Sequence, residues 1–509
     1  MHNQGLGSWP RRRARIGGDD VALVHAGDRV TYAQLDARVT RYANALAALG
    51  VGRGDRVAYL GPNHPAFVET LFATGALGAV FVPLNTRLAP LELAYMLRDA
   101  DVRVLVHDPR MQPTTTELLE SVPMQHLVEV GQGADGRPGT EGLIAAGADT
   151  PLDHGVALDD IAMVMYTSGT TGEPKGVVLT HGNLAWNTFN VLIDVDVCAD
   201  EVTLVSAPLF HTAALNQTFL PTFVKGATSV LVPAFDPQET LNLIAEQRVT
   251  WMFGVPAMFQ ALTRAPGWDH ADLSSLRAVE AGGAPVPEEL IRSFQARGLT
   301  FMQGYGMTEA APGVLFLRAK DSLRKVGSAG TPCFFTDVDL VAPDGNPVAD
   351  GDLGEIVVQG PNVMAGYWNK PDATAGVLDR DGWFRSGDAA IRDDEGYLYI
   401  VDRMKDMFIS GGENVYPAEV ENAIYDHPAV AEVAVIGVPD ERWGEVGRAY
   451  VVPRAGESLD HARLERFLDG RLARYKIPKS VVVVDELPRN ASGKLLKKRL
   501  RAEVAAQEG

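Results

Sequence analysis

Cysteine is scarce in this sequence, which has Cys198 and Cys333 and no others among 509 residues. Two cysteines are too few for a disulfide framework or a thiolate metal site, so we expect a reducing, cytoplasmic location. Positive charge is also in deficit, because 46 Lys and Arg face 65 Asp and Glu, a formal net charge of -19. Non-specific binding to nucleic acid or to an anionic membrane depends on surplus Lys and Arg, and is therefore disfavoured. Any phosphate binding must be local.

Long apolar runs are missing as well. A stretch such as ALGAVFVPL, which begins at Ala76, stops well short of the roughly 20 residues that span a bilayer, so we expect no stable membrane insertion. The arginines near residues 11–15 are not followed by an apolar segment, which disfavours a secretory signal. No internal repeat or low-complexity tract is visible. With 46% apolar residues, the chain has the material for several globular domains.

Helical and β-rich segments alternate through the first three fifths of the chain. From Thr31 the apolar residues recur at helical spacing up to Gly50, which is the expected C-cap, and a short apolar strand follows. This alternation predicts an α/β sheet, whose ligands gather at the carboxyl ends of the strands. After about Lys325 shorter strands with Gly and Asp turns predict a small barrel-like β subdomain. From about Asp406 the pattern is typical of a compact α+β unit.

The stretch YTSGTTGEPKG, residues 166–176, combines glycines, hydroxyls and one lysine. Glycines let backbone N–H groups approach an anion, and Lys175 can neutralise its charge, so the stretch is a candidate phosphate loop. It is not a Walker A motif, because two residues separate Gly172 from Lys175 and Gly176 stands where that motif has a hydroxyl. The alternative interpretation is a surface turn before a strand.

This stretch resembles the phosphate loop of the adenylate-forming superfamily, which includes acyl-CoA synthetases, carrier-loading adenylation domains and luciferases. Further matching segments follow in the order of that family: GGAPVP from Gly282, YGMTE from Tyr305, WFRSGD from Trp383, DRMKDMFISGGENVYP from Asp402 and LPRNASGK from Leu487. The resemblance extends from about Thr31 to Leu500 and so covers nearly the whole chain.

The resemblance implies an α/β fold with a large N-terminal domain, made of two α/β sheet subdomains and the small β-barrel-like subdomain, and a mobile α+β C-terminal lid. We expect the N-terminal domain at residues 1–404, its β subdomain at about 326–403 and the lid at 405–509. The implied activity is ATP-dependent conversion of a carboxylic acid to an acyl adenylate with release of pyrophosphate, then thioester formation with CoA. ATP and Mg²⁺ are the implied cofactors, and CoA is the implied co-substrate.

The resemblance also assigns roles to residues. Glu309 is the implied Mg²⁺ anchor, Thr308 a donor to the α-phosphate and Lys494 the cation between the carboxylate and the α-phosphate. His211 is assigned to gating of the carboxylate end, because PLFH matches the segment of the family, and its alternative interpretation is a hydrogen-bonded core histidine. A carboxylate at pH 7 needs no deprotonation, which leaves little work for a general base. The implied ATP and AMP contacts are Thr167, Ser168, Gly169, Thr170, Thr171, Gly172, Lys175, Gly282, Gly283, Ala284, Pro285, Gly304, Tyr305, Gly306, Met307, Asp388 and Arg403, with Asp388 and Arg403 at the ribose and Tyr305 at the adenine.

One lysine cannot occupy the site during both half-reactions if CoA needs the same space. In the family the small domain rotates between the two steps, and Lys405 matches the hinge position. Gly411 and Gly412 would then flank the pantetheine tunnel, where a Cβ would obstruct the thiol. Lys494 is accordingly expected to serve adenylation alone.

The acyl pocket is predicted from the segment after His211, where Lys225 is the only charged residue before Asp236. A diacid or free amino acid would need a buried counter-charge, so we expect a medium-chain or long-chain fatty acid or an aryl acid. The candidate lining residues are Phe210, Asn216, Gln217, Trp251, Phe253 and Val255. The same side chains would also be ordinary in an α/β core.

Three alternatives stay open from the sequence. The adenylate could pass to a carrier protein, an amine or another acceptor instead of CoA. The chain could be a nucleotide-binding regulator without catalysis, although Lys175, Glu309 and Lys494 together disfavour this. A luciferase-like oxygenase is the most remote alternative. A homodimer is a further candidate state, and nucleic acid is not expected as a partner.

Overall fold

The computed structural model describes residues 2–134, 136–167, 174–283, 286–403, 406–410, 413–415, 417–440, 443–469, 471–472, 474–489 and 495–508. Its strands are β1 (Val21–His25), β2 (Asp28–Thr31), β3 (Arg56–Leu60), β4 (Val80–Leu84), β5 (Val102–His107), β6 (His126–Glu129), β7 (Ile161–Thr167), β8 (Lys175–Thr180), β9 (Val202–Val205), β10 (Thr228–Leu231), β11 (Trp251–Gly254), β12 (Ala278–Gly282), β13 (Thr300–Gly306), β14 (Gly313–Leu317), β15 (Thr331–Pro332), β16 (Asp337–Val341), β17 (Leu353–Gln359), β18 (Gly366–Tyr367), β19 (Phe384–Arg392), β20 (Leu398–Arg403), β21 (Phe408–Ser410), β22 (Glu413–Val415), β23 (Val430–Asp440), β24 (Gly444–Pro453) and β25 (Ser480–Val483).

The α-helices alternate with these strands. They are α1 (Trp9–Gly17), α2 (Tyr32–Ala48), α3 (Pro65–Ala76), α4 (Pro90–Asp99), α5 (Gln112–Ser121), α6 (Thr140–Ala146), α7 (His181–Asp194), α8 (Leu220–Lys225), α9 (Pro237–Gln247), α10 (Pro256–Thr263), α11 (Glu288–Gln295), α12 (Pro371–Ala375), α13 (Pro417–Tyr425), α14 (His461–Leu468) and α15 (Lys497–Glu508). A π-helical segment, Ala213–Phe219, leads into α8. In the part of the chain described, no helix is both long and apolar enough to cross a membrane.

Helix α2 shows how the sequence sets an element. The Thr31 side chain accepts a hydrogen bond from the Gln34 backbone, and the Gln34 side chain accepts one from the Thr31 backbone, which forms a capping box. Gly50 follows the C-cap with φ +84°, a left-handed conformation that glycine adopts without strain. The predicted apolar residues of this helix, Leu35, Val39, Tyr42 and Leu46, are all buried.

The chain forms two compact units. The first comprises residues 1–338 and 358–384, and the second comprises residues 339–357 and 385–509. The small β subdomain therefore groups mostly with the C-terminal region. The predicted boundary between residues 404 and 405 stays a prediction.

Two sheets form the frame of the first unit. One has the order β15-β14-β13-β12-β11-β9-β10-β1-β2, and the other has the order β18-β8-β7-β4-β3-β5-β6. Their central strands are parallel, whereas β13, β14 and β15 in one sheet and β7, β8 and β18 in the other pair antiparallel. Helices on these sheets bury the main apolar clusters. The predicted pair of α/β subdomains is confirmed.

The second unit contains two smaller sheets. Strands β16-β17-β19-β20 form one, and strands β22-β21-β24-β23, with β25 beside β24, form the other. Helices α13 and α14 pack on one apolar cluster of the larger sheet, and α15 packs on another through Leu500 and Val504. The predicted small β subdomain and α+β C-terminal region are both present.

Candidate active site

The two ends of the phosphate loop are fixed by a β-hairpin. Strands β7 and β8 are antiparallel, and Thr167 at the end of β7 lies opposite Lys175 at the start of β8. The predicted loop contacts Ser168, Gly169, Thr170, Thr171 and Gly172 lie outside the described residues. What the structure establishes is the position of Lys175.

Glu309 and Lys175 meet at one tyrosine. The hydroxyl of Tyr367 donates to Oε1 of Glu309 at 2.9 Å, and Nζ of Lys175 lies 4.9 Å from the centre of the same ring. Burial, and then the charge of Glu309, raise the pKa of Tyr367, so its hydroxyl stays protonated and able to donate. The arrangement places a carboxylate, a phenol and a cation together, each partly exposed.

Tyr367 was missed by the sequence analysis. It reaches Glu309 because β18 pairs with β8, with Tyr367 opposite Val177, and because the backbone N–H of Trp368 donates to the carbonyl of Gly176. The sequence signal for this residue was the Tyr-Trp pair after Gly366, which lies outside the motifs that resemble those of the adenylate-forming superfamily. Strand pairing over this distance cannot be read from a local pattern.

We expect Tyr367→Phe to lower kcat/KM for ATP by about tenfold, because a hydrogen bond to a charged group is lost while the ring under Lys175 is kept. The magnesium concentration for half-maximal activity should rise, since Glu309 loses the group that orients it. Steady-state kinetics with varied ATP and Mg²⁺ measure both effects. Tyr475→Phe, in the second unit, is the control. Unchanged kinetics in Tyr367→Phe would contradict a role for this hydrogen bond.

The YGMTE segment leaves the carboxyl end of β13. Thr308 and Glu309 form a short 3-10 turn, and the Met307 backbone N–H donates to the carbonyl of Pro312. A Cβ on Gly306 would lie 1.9 Å from that carbonyl oxygen, so this position requires glycine. Gly304, Tyr305 and Gly306 are the last residues of β13, which puts them at the edge where ligands of parallel sheets bind.

Strand β12 brings the second glycine motif to the same edge. Gly282 lies in register with Gly304 of β13, and a Cβ on Gly282 would be 2.9 Å from the carbonyl oxygen of Gly304. Gly283 has φ +80°, which favours glycine. Ala284 and Pro285 lie outside the described residues. The structure therefore joins the Gly282 and Tyr305 motifs, which are distant in sequence.

The predicted acyl-pocket residues divide into two groups. Phe253 and Val255 lie beside the glycine turn, because Cβ atoms on Gly282 and Gly283 would lie 3.3 Å from Phe253 and 3.7 Å from Val255. Trp251 belongs to a buried cluster with Val191 and Val197. Its contribution to an acyl pocket stays a prediction.

Asn216 and Gln217 lie in the π-helical segment Ala213–Phe219, and both are buried. Asn187 of α7 holds this segment, because its Nδ2 donates to the carbonyl of Asn216 at 3.0 Å and its Oδ1 accepts from the backbone N–H of Gly313 at 2.9 Å. A π-helical turn is less stable than an α-helical one and often marks a functional site. Here it turns the Gln217 side chain toward β12.

His211 is neutral at pH 7. Burial lowers its pKa to about 4, with the positive charge of Arg87 as a second cause. Its Nε2 has no hydrogen-bond partner within the described residues, and its ring packs against Phe210 with centroids 4.8 Å apart. The gating role of His211 stays a prediction.

Glu280 of β12 is a buried carboxyl group that the sequence analysis did not single out. It is 1% exposed, and its Oε1 accepts from Nε2 of Gln217 at 3.1 Å. Burial raises its pKa to about 8, against the opposing effect of that hydrogen bond. The signal was a glutamate inside the apolar strand LRAVEAGG, which is unusual because glutamate is rarely fully buried.

Glu280→Gln should stabilise the protein at pH 8 more than at pH 5. The folded-state pKa is raised, so from about pH 4.5 to 8 the unfolded chain loses a proton that the folded chain keeps, and stability falls as pH rises. Glutamine does not titrate, and we expect a gain on the order of a few kcal/mol at pH 8. Thermal unfolding at both pH values measures it, with the exposed Glu246→Gln as control. An equal change in Tm at the two pH values would disprove the burial of a titrating carboxyl here.

The predicted ribose contacts belong to the second unit. Asp388 on β19 is buried, and its backbone lies opposite that of Arg403 on β20 in the antiparallel pair. The backbone N–H of Asp388 donates to Oγ of Ser386 on the same strand. The ribose roles of both residues stay predictions.

Several predicted positions lie outside the described residues. They are the hinge residue Lys405, the tunnel glycines Gly411 and Gly412, and the adenylation lysine Lys494. Their roles are proposals that depend on the family resemblance. Within the described ranges, no group of three or more His, Cys, Asp or Glu side chains could hold a metal ion by itself.

The chain matches two models of one protein family. Residues 10–368 match the family model "AMP-binding enzyme", and residues 419–494 match "AMP-binding enzyme C-terminal domain". The chain belongs to the AMP-binding enzyme family, and the predicted resemblance to adenylate-forming enzymes is confirmed.

Two curated relatives and one solved enzyme illustrate the similarity. A feruloyl-CoA synthase of Amycolatopsis sp is 56% identical over 501 residues, which cover 98% of this chain and 99% of that protein. An indoleacetate–CoA ligase of Aromatoleum aromaticum is 44% identical over 501 residues, 98% of each chain. The o-succinylbenzoate CoA synthetase of Bacillus subtilis, solved with an acyl-adenylate intermediate, is 34% identical with a TM-score of 0.87, covering 97% of this chain and 98% of that one. The same enzyme has been solved with ATP and magnesium ion.

Proposed function

We propose that this protein is an ATP-dependent acid:CoA ligase that forms AMP, and that its acid is an aryl or fatty acid. The observation that carries this proposal is the assembly of Glu309, Tyr367 and Lys175 beside the YGMTE segment, together with the Gly282 turn at the same sheet edge. The similarity of the whole chain to named CoA ligases supports it.

The first half-reaction joins the acid to AMP. The carboxylate attacks the α-phosphorus of ATP and pyrophosphate leaves, so negative charge must be stabilised on the α-phosphate and on the leaving pyrophosphate. Lys175 supplies a cation to the outer phosphates, and Thr308 donates to the α-phosphate. Lys494 neutralises the charge between the carboxylate and the α-phosphate. In the second half-reaction the CoA thiol attacks the acyl carbon, and AMP leaves.

Glu309 is the residue that we propose for Mg²⁺. Its Oε1 is engaged by Tyr367, and within the described residues Oε2 has no hydrogen bond, so a hard cation would find a free carboxylate oxygen. Such an ion, when bound, supplies positive charge to phosphate oxygens. Tyr367 keeps the carboxylate oriented for it.

A carrier protein or an amine in place of CoA is the second candidate acceptor. Nothing in the described residues favours it over CoA, and a homodimer likewise stays a prediction. The decisive experiment is pyrophosphate release across a panel of aryl, fatty and dicarboxylic acids, with and without CoA, with products identified by mass. We expect acid-dependent release, an acyl-CoA product when CoA is present and weak activity with diacids. Release without acyl-CoA formation would favour another acceptor, and no release with any acid would refute the proposal.

A further inference from the structure

Glu280 and Gln217 form a buried polar pair between β12 and the π-helical segment. Glu280 is 1% exposed and Gln217 is 5% exposed. They lie 63 residues apart in sequence and meet through one hydrogen bond, from Gln217 Nε2 to Glu280 Oε1. In the described part of the structure, Oε2 of Glu280 and Oε1 of Gln217 have no partner. Two buried polar atoms without partners are costly and need an explanation.

The position of the proton follows from this geometry. Because burial raises the pKa of Glu280 to about 8, its carboxyl group is mostly neutral at pH 7. Oε1 accepts from the amide of Gln217, so the acidic proton is on Oε2. The pair therefore presents one unused donor, Oε2–H, and one unused acceptor, Oε1 of Gln217. A hydroxyl group needs the same two partners, an acceptor for its hydrogen and a donor for its oxygen.

The pair lies on the sheet face that carries the predicted acyl pocket. Glu280 is in register with Phe253 on one side and Met302 on the other, two residues before Gly282 on the same strand. That separation places it about 7 Å along the strand from the glycine turn, away from the carboxyl end of the sheet. A side chain there would meet the far end of an acid whose carboxylate lies at the turn.

Glycines line this end of the sheet. A Cβ on Gly304 would lie 2.8 Å from Oε1 of Glu280, too close without a shift, and a Cβ on Gly313 would lie 3.7 Å from Oε1 of Gln217. Phe316 packs beside Gly304, and Phe253 beside Gly282. Two aromatic side chains at this end of the sheet favour an aromatic ring in the acid, because aromatic pairs gain interaction energy beyond their buried area.

We propose that Glu280 and Gln217 bind the ring hydroxyl of an aryl acid, and that this contact makes the enzyme selective for hydroxylated aryl acids. The Oε2–H of Glu280 donates to the phenol oxygen, and the phenol O–H donates to Oε1 of Gln217. This inference rests on the proposed function, since it concerns the acid that is activated. An alkyl tail or an unsubstituted ring would leave both polar atoms unpaired, and sites of this kind reject such analogues strongly.

The test compares 4-hydroxycinnamate with cinnamate, which differ only in the hydroxyl. We would measure kcat/KM from pyrophosphate release for the native enzyme and for Glu280→Met, Glu280→Gln and Gln217→Leu. Met302→Leu is the matched control, because it alters the same face without removing a polar group. Direct calorimetric binding of both acids to each variant is measured in parallel and does not require turnover.

The native enzyme should prefer 4-hydroxycinnamate, and Glu280→Met should reduce that preference by at least about tenfold while activity on cinnamate persists. Glu280→Gln keeps a donor at this position and should retain the preference within about threefold, as should Met302→Leu. An unchanged preference in Glu280→Met and Gln217→Leu would overturn the inference and leave the proposed function intact. Differential binding without pyrophosphate release would refute the proposed function and leave this contact standing, whereas equal binding of both acids without release would refute both.

Discussion

Lys494→Ala should lower the rate of acyl-adenylate formation by about 10² to 10³, because a cation that stabilises the transition state contributes on the order of 3 kcal/mol or more. The same variant should still convert a supplied acyl adenylate and CoA to thioester and AMP. The reason is that the second half-reaction has no pentacoordinate phosphorus in its transition state to stabilise. We thus expect substitution of this one lysine to impair the first half-reaction and to spare the second.

Single-turnover measurements of each half-reaction provide the test. Lys498→Ala is the matched control, since Lys498 is exposed on α15 shortly after Lys494. Lys497 is less suitable, because its Nζ pairs with Glu421 at 2.9 Å and its loss would also affect stability. Equal loss of both half-reactions in Lys494→Ala would show that the lysine is not specific to adenylation.

Lys405→Pro should have the opposite phenotype. Proline fixes φ near -65° and removes a backbone donor, so a residue that must change its backbone dihedrals between two states can no longer do so. Lys405 comes two residues after the end of β20, where the family resemblance places the hinge. We expect acyl-adenylate formation within about threefold of the native rate and a loss of at least about 10² in thioester formation.

Lys405→Ala distinguishes an effect of the backbone at this position from an effect of the lysine side chain. Alanine removes the ammonium group but keeps the dihedral freedom, so both half-reactions should continue if the position acts as a hinge. Quenched-flow measurement of adenylate and thioester in the same samples gives both rates. Normal thioester formation by Lys405→Pro would contradict the assignment of the hinge to residue 405.

The parts of the site that lie in continuous segments could be predicted from the sequence. The glycine turn at Gly282 and the YGMTE segment both fall at the carboxyl ends of parallel strands, as the alternation of helices and strands predicted. The family assignment and the fold are confirmed by the whole-chain similarity. Motifs of this kind can be recognised in a sequence because their backbone requirements, such as the glycine at position 306, fall within a few consecutive residues.

The residues that escaped prediction depend on contacts between distant segments. Tyr367 reaches Glu309 across 58 residues through the pairing of β18 with β8. Glu280 could be recognised as a candidate site residue only through its hydrogen bond from Gln217. Gln217 faces Glu280 because the chain forms a π-helical turn. Neither pairing register nor a π-helical turn has a reliable local signature. The apolar pattern does not distinguish Trp251 from Phe253, and the place of Trp251 in the acyl pocket stays a prediction.

The central claim is that ATP is cleaved between its α- and β-phosphorus atoms to activate an acid. ATP labelled at the α-phosphorus, incubated with the native enzyme, 4-hydroxycinnamate, Mg²⁺ and CoA, measures this directly. We predict labelled AMP and unlabelled pyrophosphate, formed only when acid is present and in equal amounts with acyl-CoA. Labelled ADP with inorganic phosphate would contradict the account.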